Sequence, residues 1–551
     1  MKKQILLGNE AIVQGALEAG VDFVSTYPGT PASEIGNTFA KIAEKQGIYF
    51  EFSTNEKVAL EAAIGASFSG LRCLVAMKNF GLNVASDALL PLCYTGIKGP
   101  MVIVVADDPS CWSSAQSEEN SRAYAYLAHI PMLEPADAQE AKDFTKLAFE
   151  ISEKFKLPVI LRTTTRVAHQ RMPVIVNSKF KIQNSKLKGK FVKDVKRFVT
   201  MPPRVLEMKE ELLEKIEKIK EFAEQNKINK IENYLPAEAR RAKAGKLGII
   251  VSGVSYLYVK EALEKLELDL PILKLGFFYP LPEKKIKNFI KKLKKVLVIE
   301  ELEPYLEKEI KILAKEINPK LEVLGKDILP QIGELKTEII ISAIGKLINK
   351  KIKNCLPAEV LLASGTKAGK FKIPVRFPRF CPGCPHTMVL TAIKKAAPKG
   401  TIFGGDIGCY MMAGLPPHEL QDYLLCMGSS IGIAHGIGKS TNQKIIAFIG
   451  DSTFFHVGIP ALVNIVFNKS NILIIVMDNL ITAMTGHQPN PGEKIKIEDV
   501  ARACGVKNIK VVDPINIKEM EETIKEFLEK EGVSVIVSRR ICALLAKKQN
   551  K

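Results

Sequence analysis

IIAFIGDSTFFHVGIPALVNIVFNKSNILIIVMDNLITAMTGHQP, residues 445–489, decides the fold of this chain. Its first apolar run, rich in isoleucine, ends in Gly450-Asp451-Ser452, and its second ends in Asp478-Asn479. Short Val/Ile runs that stop at turn residues read as strands of a sheet buried on both faces. The residues between them have helical composition, so the unit is strand, helix, strand, with both strand ends at one carboxyl edge. Open α/β sheets bind ligands at that edge. A carboxylate and an amide oxygen there make a hard-oxygen site suited to Mg²⁺ bridging a diphosphate. Gly450 allows close backbone approach, and the helix start after Ser452 favours an anion.

The rest of the chain extends this pattern. At 551 residues it is too long for one hydrophobic core. Residues 1–180 alternate strands (VDFVSTYPG, RCLVAM, PMVIVVADD, LPVILRTTT) with helices such as NEKVALEAAIGASFSG. Residues 181–245 are charge-dense and predict a connector with one long helix. Residues 246–355 resume as a smaller α/β domain, 356–374 form a Gly/Pro/Lys linker, and 375–551 make a third α/β domain. The expected fold class is α/β, with two large doubly wound domains and a smaller α/β domain.

The composition, 46% hydrophobic and 25% charged, is that of an ordinary globular protein. No apolar run reaches the roughly 18 residues that span a bilayer, and the start does not read as a secretory signal. A cytoplasmic protein with no membrane partner is the expectation. The net charge of +19 comes from lysines along helical stretches such as PEKKIKNFIKKLKKVLV, a solvated face over a packed one. No nucleic-acid module accompanies it.

Of ten cysteines, Cys73, Cys93, Cys111, Cys355, Cys426 and Cys504 sit in apolar or mixed contexts and read as core filler. Cys381 and Cys384, in CPGCPH, are compatible with a zinc site, a dithiol or half of a metal cluster. Cys409 in GDIGCY and Cys542 in VSRRICALL follow expected strands of the same third domain. His386, His435, His456 and His487 are further site candidates.

The Gly-Asp-Ser and Asn spacing is similar to the thiamine diphosphate signature. With LLGNEAIVQGALEAGVDFVSTYPGTPASEI, NEKVALEAAIGAS, GLNVASDAL, CPGCPH, GDIGCY and CMGSSIGIAHG, the chain resembles the large subunit of the indolepyruvate:ferredoxin oxidoreductases over nearly its whole length. That family lies within the 2-oxoacid:ferredoxin oxidoreductase superfamily. The resemblance implies a thiamine diphosphate-binding fold: a pyrimidine-binding-type domain at 1–180, a transketolase C-terminal-like domain at 246–355 and a diphosphate-binding domain at 375–551.

It also implies residue roles. Glu56 would be the carboxyl group beside the aminopyrimidine ring, and Thr30 in YPGTP would hold the 2-oxoacid carboxylate. Gly428, Ser429, Gly450, Asp451, Ser452, Asn479, Ile481 and Thr485 would approach thiamine diphosphate. Asp451, Asn479 and the Ile481 carbonyl would bind Mg²⁺. Cys381, Cys384, Cys409 and Cys542 would hold one [4Fe–4S] cluster. The implied reaction is oxidative decarboxylation of a 2-oxoacid, an aryl pyruvate, to an acyl-CoA, with electrons passed to ferredoxin. A small second subunit, ferredoxin or a ferredoxin-like subunit, and a hetero-oligomer are the implied partners. The ferredoxin-like tail with two further clusters, usual in such subunits, is not among these residues. Asn79, Thr387 and His487 stand where the family pattern has His, Arg and Gly. The alternative readings are an oxidoreductase of a different 2-oxoacid, a non-oxidative thiamine diphosphate decarboxylase and a non-catalytic thiamine diphosphate-binding paralogue.

Overall fold

The computed structural model describes residues 2–113, 116–177, 189–232, 247–348 and 378–549. The chain divides into two compact units, Met1–Pro374 and Val375–Lys551.

In the first unit a seven-stranded sheet runs in the order Phe277–Tyr279, Met132–Leu133, Val159–Thr164, Met101–Asp107, Cys73–Lys78, Phe23–Thr26 and Tyr49–Phe52. All neighbours are parallel except Phe277–Tyr279, which runs antiparallel to Met132–Leu133. Every residue of Met101–Asp107 is buried, which explains its unbroken MVIVVA run. Each such Val or Ile contributes roughly 1.5–3 kcal/mol of transfer free energy. Helices Gly8–Glu18 and Ala138–Phe155 pack against each other, as do Glu56–Phe68 and Asn79–Thr95. Lys2–Leu7 and Arg171–Val176 form a separate antiparallel ribbon.

A second sheet in this unit orders Glu322–Leu324, Lys295–Ile299, Leu247–Ser252, Ile272–Leu275 and Lys230–Glu232, the last antiparallel. The expected long helix of the connector is Arg204–Gln225. The expected 356–374 linker lies outside the described residues. Strand Phe277–Tyr279 leaves the second sheet's stretch of sequence to pair with the first sheet. The two sheets are also tied by a buried charge network. Arg122 donates to Glu134 at 2.6 Å and to Glu300 at 3.4 Å, and Arg162 donates to Asp107 at 2.8 Å and Glu134 at 3.1 Å.

The second unit is one parallel sheet in the order Ile402–Gly404, Ile445–Gly450, Ile472–Asp478, Val533–Arg539 and Asn508–Val512. Four adjacent strands thus end just before Asp406, Asp451, Asn479 and Cys542. The helix expected after Ser452 starts one residue earlier, at Asp451, and is interrupted. Residues Asp451–Thr453 and Ile459–Phe467 are α-helical, and Phe454–Gly458 widens into a π turn. Pro460 lacks the N–H that an unbroken ladder needs there.

Two cysteines depart from the core-filler expectation in degree, Cys111 and Cys504 being half-buried, and one in kind. Cys426 is exposed, because it lies in the loop before helix Ser429–Ser440, where its carbonyl accepts from Ser429 Oγ at 2.7 Å. Cys355 lies outside the described residues.

Candidate functional site

In the first unit the side chains of interest gather at the carboxyl ends of neighbouring strands. Glu56 begins helix Glu56–Phe68, where Asn55 caps by accepting from Val58 N at 2.8 Å. It is buried, and its side chain lies against Gly81 in the first turn of Asn79–Thr95. A Cβ at residue 81 would meet Glu56 Cγ at 2.6 Å and Oε1 at 2.8 Å. Glycine at 81 is therefore the space that Glu56 occupies. Thr30 follows strand Phe23–Thr26 in the YPGTP turn, with its hydroxyl 3.5 Å from Ser33 Oγ.

Two neighbours carry signals that the motif reading missed or only noted. Lys78 ends strand Cys73–Lys78, and its stem lies on Gly29 of the YPGTP turn. Asn79 is fully buried, yet neither atom of its amide has a hydrogen-bond partner among the described residues. A buried amide in that state costs several kcal/mol unless a ligand or water pairs it.

In the second unit Asp451 is buried at the end of its strand. Its Oδ1 accepts from Ser452 N at 2.7 Å, and its Oδ2 accepts from Asn490 Nδ2 at 3.1 Å and Ile481 N at 3.2 Å. Burial first, and then the neighbouring Asp478 carboxylate, push the Asp451 carboxyl up to about 7. Asp478 has its own cation, accepting from Arg539 Nε at 2.6 Å, whereas Asp451 has only neutral N–H donors among the described residues. A buried carboxylate so placed fits a bound cation. Asn479 Oδ1 accepts from Ile481 N at 3.4 Å, and its Nδ2 donates to His386 Nε2 at 3.4 Å. Burial lowers His386 to about 4, so the ring is neutral and free to accept.

The expected glycines are shaped for close approach. Gly428 has φ of 85°, the left-handed region, and a Cβ there would strike Val457 Cγ2 at 1.9 Å. Its loop is held by buried Asp406, which accepts from Gly428 N at 2.7 Å and Ser430 N at 3.0 Å. Asp406 stood in the quoted GDIGCY, but nothing in the sequence pointed to its anchoring role. Gly450 is packed on the Tyr410 ring, where a Cβ would approach Cε1 to 2.6 Å. Ser452 Oγ accepts from Thr482 at 3.0 Å, and Thr485 Oγ1 donates to Gln488 Oε1 at 2.7 Å, so these two face the same loop through other partners.

The four cysteines of interest converge. Cys409 is pushed up to about 12 by burial and then by the nearness of Cys384, Cys542 and Cys381. Cys384 is raised by burial and by Cys381 and Cys542. Among the described residues no three His, Cys, Asp or Glu side chains close on a single metal ion. The four thiols are close enough to act on one another electrostatically. Backbone bonds tie the Cys542 segment to the turn after strand Ile472–Asp478: Cys542 N donates to the Asn479 carbonyl at 3.2 Å, and Arg540 N donates to that of Asp478 at 3.0 Å.

His487, one of the departures from the family pattern, has φ of 66°, which explains why glycine suits that position. Its Nε2 lies 3.9 Å from Cys542 Sγ. His435 is paired with Ser470 Oγ at 2.6 Å, a structural contact, and His456 is buried in the π turn. A cavity of about 810 Å³ opens beside Cys381 and Cys384, lined also by Phe380, Met388, Met412 and His418.

Three family models match the chain. They are "Pyruvate flavodoxin/ferredoxin oxidoreductase, thiamine diP-bdg" over residues 14–243, "Indolepyruvate oxidoreductase domain" over 238–370, and "Thiamine pyrophosphate enzyme, C-terminal TPP binding domain" over 406–538. Thiamine diphosphate is thus the cofactor of both flanking domains. Indolepyruvate oxidoreductase subunit IorA of Pyrococcus horikoshii is 46% identical over 98% of this chain and 86% of its own length. The Methanothermobacter thermautotrophicus subunit is 44% identical over 98% and 87%, and that of Archaeoglobus fulgidus 40% over 99% and 87%. The fold is shared with a 2-oxoglutarate:ferredoxin oxidoreductase from Magnetococcus marinus at a TM-score of 0.50, 19% identity, and coverage of 63% of this chain and 65% of that one. No helix among the described residues is long and apolar enough to cross a membrane. The chain belongs to the family of indolepyruvate oxidoreductase subunit IorA, thiamine diphosphate-dependent oxidoreductases of 2-oxoacids.

Proposed function

We propose that this chain carries the thiamine and cluster chemistry of an indolepyruvate:ferredoxin oxidoreductase. It would convert an aryl 2-oxoacid and coenzyme A to an acyl-CoA and carbon dioxide, and pass two electrons to ferredoxin. The observation that carries the oxidative reading is the convergence of Cys381, Cys384, Cys409 and Cys542 beside the Asp451–Asn479 loop. A non-oxidative thiamine decarboxylase has no use for four clustered thiols.

Bound thiamine diphosphate supplies a nucleophilic carbon for the ketone and an electron sink that lets carbon dioxide leave. Glu56, buried and backed by Gly81, would be the carboxyl group that holds or passes a proton beside the aminopyrimidine ring of bound thiamine diphosphate. Thr30 donates a hydroxyl to the substrate carboxylate. In the second unit Asp451, Asn479 and the Ile481 carbonyl hold Mg²⁺. Gly428, Ser429, Gly450, Ser452 and Thr485 line the diphosphate side, and Asp406 fixes the Gly428 loop. The four cysteines hold one [4Fe–4S] cluster, and each ionises on binding iron. A smaller partner subunit completes a hetero-oligomer in the cytoplasm, and ferredoxin or a ferredoxin-like subunit takes the electrons.

The test is anaerobic co-expression with the small subunit, followed by iron analysis and an assay with indolepyruvate and coenzyme A. About four irons per chain for this cluster, and ferredoxin reduction that requires both substrates, are expected. Carbon dioxide release without iron or acceptor would overturn the oxidative reading in favour of a simple decarboxylase. No substrate-dependent reaction with cofactor bound would favour the non-catalytic one.

A further inference from the structure

A decarboxylating enzyme must hold the carboxylate it is about to release, and a single threonine hydroxyl is a weak anion site. The first unit offers a cation in the right neighbourhood. Lys78 stands at the carboxyl end of strand Cys73–Lys78, next to the strand that leads into the YPGTP turn. Its stem is pressed onto that turn: a Cβ on Gly29 would lie 3.0 Å from Lys78 Cγ and 3.2 Å from Cδ. The ammonium lies 4.9 Å from the centre of the Phe80 ring, and its hydrogen bond is to a neutral group, Gln116 Oε1, at 3.1 Å.

Its surroundings give the charge no contact counter-ion among the described residues. Glu56, Asp108 and Glu119 are the carboxylates that act on it. Asp108 is engaged by Ser113 N at 2.7 Å and Thr165 Oγ1 at 2.5 Å, and Glu119 by Asn83 Nδ2 at 3.0 Å. No carboxylate closes an ion pair with Lys78 among the described residues. Burial outweighs these three carboxylates and lowers the Lys78 ammonium below its ordinary value. Lys78 is half-buried, and a partly desolvated cation without a contact counter-ion gains when a ligand supplies the anion. Asn79, the next residue, adds an independent sign: it is fully buried with both amide atoms unpaired among the described residues. Cation and amide are thus consecutive residues at the end of one strand and the start of the next helix.

We propose that Lys78 is a specificity-determining residue whose ammonium receives the carboxylate of the 2-oxoacid substrate. This rests on the 2-oxoacid reading given above. Lys78 selects for an acid over the matching ketone or aldehyde, and it holds the carboxylate beside Thr30 until carbon dioxide leaves. The rest of the substrate is left to apolar contacts, so the charge requirement is separate from the preference for an aromatic group.

The assay uses the full chain with its partner subunit, loaded with thiamine diphosphate and Mg²⁺, and compares Lys78→Met and Lys78→Arg. Loss of a buried charge pair costs at least about 30-fold in binding. Lys78→Met should therefore raise KM for indolepyruvate by that factor, while thiamine diphosphate binding stays within about threefold and Lys78→Arg recovers much of the loss. Two non-reacting probes give a readout that does not depend on turnover, indole-3-lactate with the carboxylate and tryptophol without it. The unmutated protein should prefer the lactate, and Lys78→Met should erase the preference. A preference that survives in Lys78→Met overturns the proposal, as does a fall in kcat with KM unchanged, which would tie Lys78 to Glu56 and the cofactor instead. If Lys78→Met does not fold, Lys78→Gln is read by the same probe ratio. Absence of 2-oxoacid turnover in the unmutated protein would strike the functional reading rather than the assignment of Lys78.

Discussion

The neutral imidazole of His386 accepts the side-chain N–H of Asn479, Nδ2 to Nε2 at 3.4 Å, and so joins the CPGCPH loop to the turn after strand Ile472–Asp478. With its N–H turned to His386, Asn479 directs Oδ1 the other way, towards Ile481 N. The ring is buried against Tyr410.

On the proposed Mg²⁺ assignment of Asn479, His386 would position that ligand without touching the metal. Removing a partner of this kind typically costs 10–100-fold in affinity. His386→Ala should weaken Mg²⁺-dependent thiamine diphosphate binding by roughly that factor, measured by titration calorimetry, and His386→Gln should recover part of it. Unchanged affinity in His386→Ala would mean that Asn479 is held by its backbone alone.

Gly81 backs Glu56 so closely that a methyl group has no room, with 2.6 Å to Glu56 Cγ. Alanine has the better helix propensity, by about 1 kcal/mol, so Gly81→Ala should not loosen the helix. It should displace the Glu56 carboxyl, slowing exchange of the thiamine C2 proton with D₂O by about 10²-fold while cofactor binding is largely kept. Proton NMR of the bound cofactor after timed quenching reads this directly, and an unchanged exchange rate would remove Glu56 from the proton path.

Buried Glu301 makes stability depend on pH. Desolvation outweighs Arg162 and Arg122 and raises its carboxyl from 4.5 to about 7, with Glu334 adding to the rise. The folded state thus binds this proton more tightly than the unfolded chain does. The contribution is fully present below pH 4.5 and is lost as pH rises through about 7, beyond which ionised Glu301 is a cost. Glu301→Gln keeps an acceptor for Leu335 N, which donates to Oε1 at 3.1 Å, and removes the charge. It should raise the melting temperature at pH 8, by an amount equivalent to about 1–3 kcal/mol, and do little at pH 5. Scanning calorimetry at the two pH values checks the sign.

The strands and the main motif were legible because their signals are local. Alternation of Val/Ile runs with helical stretches follows from burial on both sheet faces, and Gly450-Asp451 with Asn479 follows from where parallel strands end. Cysteines 381, 384, 409 and 542 were each visible in the sequence, and their grouping rested on the family resemblance. Other features were not legible, since each depends on residues far apart in the chain. Asp406 anchors a loop some twenty positions on, Lys78 matters because Gly29 lies under it, and Phe277–Tyr279 pairs outside its own sheet. The sequence by itself determined which elements form and which chemical groups stand at their ends. Only tertiary packing decided which of those groups meet and which are left without a partner, because desolvation and close contact are properties of the neighbours that folding brings together.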